Sequence, residues 1–298
     1  MIIGFIGLGT MGAPMARNIL GKGHGLIVAD VQPAAVAALT AAGATAAATP
    51  REVAAGSEIV ITMLPDAPDV EKVALGPDGI VAGIKPGAVY IDMSTIDPGT
   101  TRKVGAAIAS RGATMIDSPV GKTADAAVAG TLTLMVGGPP EVVARCRPVL
   151  DCMGTDFFYC GELGAGETMK LVNNLLATAV SEASIEALVT GVKSGLTLET
   201  MMSVLRTTMA WNNALAIALP KRPLAGDFHP GFMMKLAHKD CRLALEMVAA
   251  LGVSAPVGRA ALASLKEGLE RGLQDHDVGA LLKLREEAAG VEVRLPKA

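Results

Sequence analysis

Ile2, Ile3, Phe5 and Ile6 make a short β run, Gly7-Leu8-Gly9-Thr10-Met11-Gly12 follows at once, and Ala13 to Leu20 has helical composition closed by Gly21 and Gly23. Leu26, Ile27, Val28 and Ala29 then supply a second β run that ends in Asp30. A strand, a glycine turn, a helix and a second strand closed by an acid leave the chain few folds. The helix N-terminus points free N–H groups and a positive dipole end at whatever lies beyond the turn, which suits a pyrophosphate. In that reading Gly7 permits the tight turn, Gly9 lets phosphate approach the backbone, and Gly12 lets the helix pack on the strand. Asp30 lies about 18 residues beyond Gly12, close to the spacing expected of an acid that binds the ribose of a dinucleotide.

Asp30 also bears on which dinucleotide. A carboxylate accepts hydrogen bonds from ribose hydroxyls but repels a 2′-phosphate, and Val31, Gln32 and Pro33 offer no cation to reverse that preference. NAD(H) is therefore expected over NADP(H). Asp30 equally suits the cap of a helix starting near Pro33, and the two roles are compatible.

The 298 residues suffice for two domains, expected here as a dinucleotide-binding domain over 1–162 and a helical domain over 163–298. With 26 basic against 29 acidic residues and a net charge of -3, the chain lacks the basic excess of a nucleic-acid surface, so no nucleic-acid partner is expected. It has no run of 18 apolar residues, so no membrane span is expected, and no basic n-region or cleavage site precedes the first strand, which points to a cytoplasmic enzyme. Cys146, Cys152, Cys160 and Cys241 lack CxxC spacing and read as small buried hydrophobes, and no metal site is proposed.

After Asp30, helical stretches at 34–42, 51–55, 70–75, 101–111 and 141–153 alternate with β runs at 58–64, 88–93, 114–116, 131–136 and 157–159. That alternation predicts an α/β fold with a doubly wound parallel sheet. From Ala165 the character changes. Met169, Leu171, Val172, Leu175, Leu176, Val180, Ile185, Leu188 and Val189 are spaced for one long, largely buried helix ending near Gly191 to Gly195. Helical segments follow at 198–205, 210–218, 233–251, 257–271 and 278–289 with no convincing strand, so the second domain is expected to be all helical.

Ligands of such sheets sit at the strands' carboxyl ends. The segments there are Met63-Leu64-Pro65-Asp66, Asp92-Met93-Ser94-Thr95 and Ser118-Pro119-Val120-Gly121-Lys122-Thr123, each of which also has ordinary turn composition. In the long helix, Lys170 and Asn174 are four apart and share one face. Their neighbours Leu171, Val172, Leu175 and Leu176 are apolar, and desolvation lowers a lysine pKa toward the range useful for proton transfer. A lysine on such a helix also commonly snorkels to the surface.

Together these segments resemble the β-hydroxyacid dehydrogenase family. The match is carried by Gly7 to Ala16, Met63-Leu64-Pro65-Asp66, Asp92-Met93-Ser94-Thr95, Gly130-Thr131-Leu132, Lys170-Leu171-Val172-Asn173-Asn174 and Lys239-Asp240. The resemblance implies a Rossmann domain followed by a helical domain, NAD as cofactor, a homodimer or homotetramer, and a small anionic aldehyde or alcohol as substrate. It puts the catalytic lysine on Lys170, the substrate-holding asparagine on Asn174, and cofactor contacts on Gly7, Leu8, Gly9, Thr10, Met11, Gly12, Asp30, Met63, Leu64, Pro65, Thr95 and Lys239.

One departure concerns the substrate. Where the family commonly reads Pro-Val-Ser-Gly-Gly, this chain has Pro119-Val120-Gly121-Lys122-Thr123, which looks most like the branch of 3-sulfolactaldehyde reductases. A cation, a hydroxyl and backbone N–H groups could meet the three oxygens of a sulfonate. The substrate contacts are accordingly expected from Ser118, Gly121, Lys122, Thr123 and Asn174. The expected activity is NADH-dependent reduction of a short anionic aldehyde, with 3-sulfolactaldehyde leading. 3-Hydroxyisobutyrate oxidation or reduction of tartronate or succinate semialdehyde are the same-class alternatives, and a non-catalytic NAD-binding scaffold is the alternative of another class. His24, His229, His238 and His276 are scattered without ligand spacing.

Overall fold

The β runs are apolar at nearly every position, and the pleat sends neighbouring side chains to opposite faces, so each strand needs cover on both sides. The computed structural model describes residues 1–295 and separates into two units, Met1–Lys170 and Leu171–Ala298. The first unit contains β1 (Ile2–Ile6), α1 (Gly12–Gly21), β2 (Gly25–Ala29), α2 (Pro33–Thr40), β3 (Thr45–Ala46), α3 (Pro50–Gly56), β4 (Ile59–Thr62), α4 (Ala67–Leu75) and α5 (Ile80–Gly83). It continues with β5 (Val89–Asp92), α6 (Pro98–Ala109), β6 (Thr114–Asp117), β7 (Val120–Gly121), α7 (Ala124–Ala129), β8 (Leu132–Gly137), α8 (Pro140–Leu150) and β9 (Gly154–Gly161).

The alternation sorts residues between two cores. Ile3, Phe5, Ile59, Ile61, Val89, Ile91 and Ile116 pack with Met15 and Ile19 of α1 and Val143, Cys146 and Val149 of α8. The intervening Val60, Tyr90 and Met115 pack with Val53, Val70, Ile80, Val104 and Ile108 from α3 to α6. Of the four cysteines, Cys146, Cys152 and Cys241 are buried as expected, and Cys160 is half-buried.

The sheet order is β3-β2-β1-β4-β5-β6-β8-β7, with β9 on β8. The strands from β3 to β6 are mutually parallel, and the order reverses at β1, whose neighbours are β2 and β4. The crevice beyond the carboxyl ends of β1 and β4 is therefore the switch point where such sheets take ligands. The far edge departs from the expected all-parallel sheet, because β8 runs antiparallel to both β6 and β7. The cause is connection length. Only Lys122 to Thr131 joins β7 to β8, and a parallel crossover needs about a dozen residues or more, so the chain returns antiparallel.

The long helix α9 (Ala165–Lys193) begins in the first unit and continues into the second. There α10 (Leu198–Leu205), α11 (Leu219–Lys221), α12 (Met234–Ala250), α13 (Pro256–Glu270) and α14 (Leu281–Ala289) surround a core built on Ile185, Leu188, Val189, Met234, Cys241, Leu265 and Leu282. By length and composition α9 could cross a bilayer. It nevertheless carries Glu182, which is buried and ion-paired to Arg285 of α14 at 2.6 Å. Its Leu171, Ile185 and Leu188 are enclosed by protein, but Met169, Val172 and Leu176 are exposed, so the helix is less buried than its apolar spacing predicts. The helix expected over 210–218 starts late. Asn212 Oδ1 accepts the N–H groups of Ala214 and Leu215, so the turn is capped there and a π-helical stretch covers only Ala214–Ala218. Among the described residues the second unit's β pairing is one bridge, Met233 with Asp277.

Candidate active site

The glycine turn has the shape its spacing demands. Gly7 sits at φ +95°, and a Cβ there would stand 2.3 Å from the Met63 carbonyl oxygen. A Cβ on Gly12 would stand 1.9 Å from the Gly7 carbonyl oxygen and 3.1 Å from the Phe5 ring. A Cβ on Gly9, by contrast, would meet nothing within 4 Å, so this glycine keeps open space rather than relieving a clash. α1 starts with no side-chain cap and no acid in its first turn; Ala13 N donates to the Gly9 carbonyl at 3.0 Å and Pro14 has no N–H, so the donors open to an external anion lie in the turn before Ala13. Asp30 accepts from Leu8 N at 2.5 Å through Oδ2 and from Gln32 N at 2.7 Å through Oδ1. The carboxylate is thereby fixed against the turn with lone pairs left on both oxygens. These residues fit a dinucleotide, with its pyrophosphate against Gly9 and its ribose at Asp30.

Next along the same edge, the loops after β4 and β5 are tied by a buried polar chain. Tyr90 Oη and Thr62 Oγ1 are 2.7 Å apart, Thr62 Oγ1 donates to Asp92 Oδ1 at 2.8 Å, and Ser94 donates to the same oxygen through Oγ and N. Ser94 Oγ in turn accepts from Leu64 N at 3.0 Å. Met63, Leu64 and Pro65 are thus held to the segment carrying Thr95. Burial, then the Asp92 charge, pushes the Tyr90 hydroxyl well above the usual phenol range, so it stays a donor.

The start of α9 is fastened to this unit by two buried carboxylates. Asp117, the last residue of β6, accepts from Gly164 N at 2.7 Å and Glu167 N at 2.8 Å, capping the helix from outside it. Glu167 Oε2 accepts from Ile96 N at 3.2 Å. Burial raises the Asp117 pKa and these N–H bonds oppose the rise. Two glycines, Gly164 and Gly166, stand at the start of this helix. A Cβ on Gly166 would stand 2.2 Å from the Met135 carbonyl oxygen and 2.8 Å from Asp117 Oδ2, so only glycine lets the first turn lie on β8. Lys170 follows one turn later and is half-buried.

Ser118, directly after Asp117, is fully buried and its Oγ has no hydrogen-bond partner among the described residues. Gly121 was expected in a loop and instead pairs with Thr133 as the end of β7. Lys122 is exposed and has φ +75°, the sole non-glycine with positive φ among the described residues. Its ammonium donates to Asp156 Oδ2 at 2.6 Å and to the Thr131 carbonyl at 2.7 Å. Thr123 is exposed at the start of α7, where its hydroxyl makes no cap bond. α7 is tied to α1 by Asn18, whose Nδ2 donates to the Ala127 carbonyl at 2.8 Å.

In the second unit Asn174 is buried. Its Nδ2 donates to Asp240 Oδ2 at 2.6 Å and its Oδ1 accepts from Asn173 Nδ2 at 2.8 Å. Lys239, nearly enclosed, pairs with Asp240 Oδ1 at 3.1 Å. Asp240 therefore links the two residues, Asn174 and Lys239, that sequence placed 65 positions apart. Sequence alone gave Asp92, Asp117, Asp156, Glu167 and Asp240 no role. Only Asp92 and Asp240 carried a signal, by standing inside the segments Asp92 to Thr95 and Lys239-Asp240.

A family model described as the NAD binding domain of 6-phosphogluconate dehydrogenase matches residues 2–161, and one described as NAD-binding of NADP-dependent 3-hydroxyisobutyrate dehydrogenase matches 164–285. The chain is 41% identical to a 2-(hydroxymethyl)glutarate dehydrogenase of Eubacterium barkeri, over 98% of this chain and 97% of that one. It is 39% identical to the 3-sulfolactaldehyde reductase of Escherichia coli (strain K12), over 98% of each. A solved structure of Mycobacterium tuberculosis 3-hydroxyisobutyrate dehydrogenase with L-serine superposes with a TM-score of 0.89 at 34% identity, covering 95% of this chain and 98% of that one.

Proposed function

The chain belongs to the 3-hydroxyisobutyrate dehydrogenase-related β-hydroxyacid dehydrogenases, NAD-dependent oxidoreductases acting on CH–OH groups, and on that premise we propose that it interconverts a short acid-bearing aldehyde and its primary alcohol with NAD(H). The observation that carries the cofactor preference is Asp30, fixed by two backbone N–H groups beside a turn that lacks any cation. It favours NADH over NADPH.

When bound at this site, the nicotinamide would supply hydride for reduction and accept it in oxidation. Lys170 is the proton carrier: its ammonium gives a proton from Nζ to the nascent alkoxide and stabilises the charge before transfer, and its neutral amine takes the hydroxyl proton in reverse. Asn174, one turn along the same helix, orients the substrate oxygen with an amide whose rotamer Asp240 and Asn173 fix. Ser118, Gly121, Lys122 through its backbone N–H, and Thr123 hold the acid group. The unpartnered Ser118 Oγ, the Thr123 hydroxyl and backbone N–H groups serve a carboxylate or a sulfonate alike. Since Asp156 already neutralises the Lys122 ammonium, loop charge gives 3-sulfolactaldehyde no advantage over a carboxylate semialdehyde. A homodimer or homotetramer belongs to the same reading, supported by the exposed Val172 and Leu176 of α9.

The test is a substrate panel. 3-Sulfolactaldehyde and the semialdehydes of methylmalonate, tartronate and succinate are assayed with NADH and NADPH, and 3-hydroxyisobutyrate, L-serine and 2-(hydroxymethyl)glutarate with NAD⁺. Turnover of at least one acid-bearing compound, with NADH preferred and with neutral propionaldehyde reduced far more slowly, is expected. Equal kcat/KM for propionaldehyde and the best acid would remove the anion-binding reading.

A further inference from the structure

Lys122 combines two observations that sequence could not bring together: a left-handed backbone and an ammonium committed to partners elsewhere on the sheet edge. A side chain at φ +75° crowds its own backbone, which is why glycine usually occupies such positions. Lysine persists there only if its surroundings hold it. The ladder does not, because β7 ends at Gly121 and its pairing with Thr133 is the last register contact. The side chain does. Its Nζ reaches the Thr131 carbonyl just before β8 and Asp156 in β9, and so spans the two strands beside the loop. The Lys122 ammonium in turn holds the Asp156 carboxyl below the usual range.

We propose that Lys122 is a positioning residue: its ion pair with Asp156 and bond to the Thr131 carbonyl clamp the left-handed turn, so that the loop's backbone N–H groups and the Thr123 hydroxyl, rather than the ammonium, receive the substrate's acid group. This deepens the reading of the site given above and rests on it. It also explains a basic residue where the related family has glycine. The clamp replaces glycine's conformational freedom with an anchored side chain, and the loop keeps the backbone path that the acid group needs. Asp156 thereby becomes a residue that controls substrate affinity without touching the substrate.

The decisive variants act on Asp156. With the clamp, Asp156→Ala loosens the loop and raises KM for the acid-bearing substrate about tenfold, the equivalent of one well-placed hydrogen bond, while kcat stays within about twofold. Adding Lys122→Gly to Asp156→Ala brings KM back toward the wild-type value, because glycine takes φ +75° without an anchor. If the ammonium itself bound the acid group, both signs would reverse. Asp156→Ala would free a cation and lower KM, and the added Lys122→Gly would raise it. A second readout needs no substrate. Trypsin cuts after lysine, and a clamped Lys122 resists entry into the protease, so cleavage at Lys122–Thr123 in the folded full-length chain, followed by mass spectrometry, should be at least about fivefold faster in Asp156→Ala. An unchanged cleavage rate overturns the clamp. Wild-type inactivity toward every acid-bearing compound would instead overturn the proposed function, with the proteolysis result still deciding the clamp.

Discussion

Gly9→Ala separates cofactor binding from folding more cleanly than any other change in the glycine turn. Gly9 has no positive φ and nothing within 4 Å of an added Cβ, so alanine fits the folded chain. Loss of glycine's freedom in the unfolded chain should even stabilise by about 0.4–1 kcal/mol. The methyl group instead occupies the space proposed for the pyrophosphate. Moving a phosphate off its N–H donors forfeits at least one hydrogen bond to a charged group, about 1.5–3 kcal/mol, or roughly 10- to 150-fold in Kd. Gly12→Ala is the control. Its Cβ would stand 1.9 Å from a carbonyl oxygen, so backbone must shift, and such overpacking costs about 1–3 kcal/mol. The assay is NADH titration by fluorescence with a parallel thermal melt. Gly9→Ala should keep or slightly raise Tm while losing NADH affinity, and Gly12→Ala should lose both. Wild-type NADH affinity in Gly9→Ala, with Tm unchanged, would refute the placement of the pyrophosphate.

Lys170→Ala should bind NADH nearly as the wild type does while kcat falls by roughly 10²–10⁴, the usual worth of positioned proton transfer, and stopped-flow turnover near the wild-type rate would remove Lys170 from the mechanism. Asp30→Ala should shrink the NADH-over-NADPH ratio of kcat/KM by about tenfold or more, because it removes both the ribose acceptors and the charge that repels a 2′-phosphate; an unchanged ratio would discard that role. His238 gives a pH prediction. Burial, then the nearby Arg242 and Lys266, lowers its pKa, so the unfolded chain protonates before the folded one as pH falls. Stability is therefore present above the ordinary histidine pKa and lost as pH drops through it, and His238→Gln should flatten the decline in Tm between about pH 7 and 5.5.

What sequence made legible was local, and what it hid was long-range pairing of polar groups. Ile3, Ile59, Ile61 and Ile91 announce buried strands by composition, and Gly7 and Gly12 announce the turn because each meets its steric demand within a few residues or across one strand, while Gly9 keeps open space beside them. The carboxyl edge could then be located from strand order alone. The direction of β8 could not, since no residue in Leu132–Gly137 records which way its partner runs, and the short stretch from Lys122 to Thr131 decides it. The acids were harder still. Asp117 reaches a helix start 47 residues away, Asp156 a lysine 34 away, and Asp240 an asparagine 66 away. A buried carboxylate must be hydrogen-bonded to be tolerated, so Asp117 and Asp240 are obliged to find donors, whereas the exposed Asp156 is under no such obligation; in all three cases the fold and not the spacing names the partner. Sequence thus pointed to Lys170, Asn174 and Lys122 as the groups for chemistry and left unread the partners that set their orientation. For Lys122 the partner reverses the inference, because a cation already paired with Asp156 is an anchor for the loop before it is a counter-charge for a substrate.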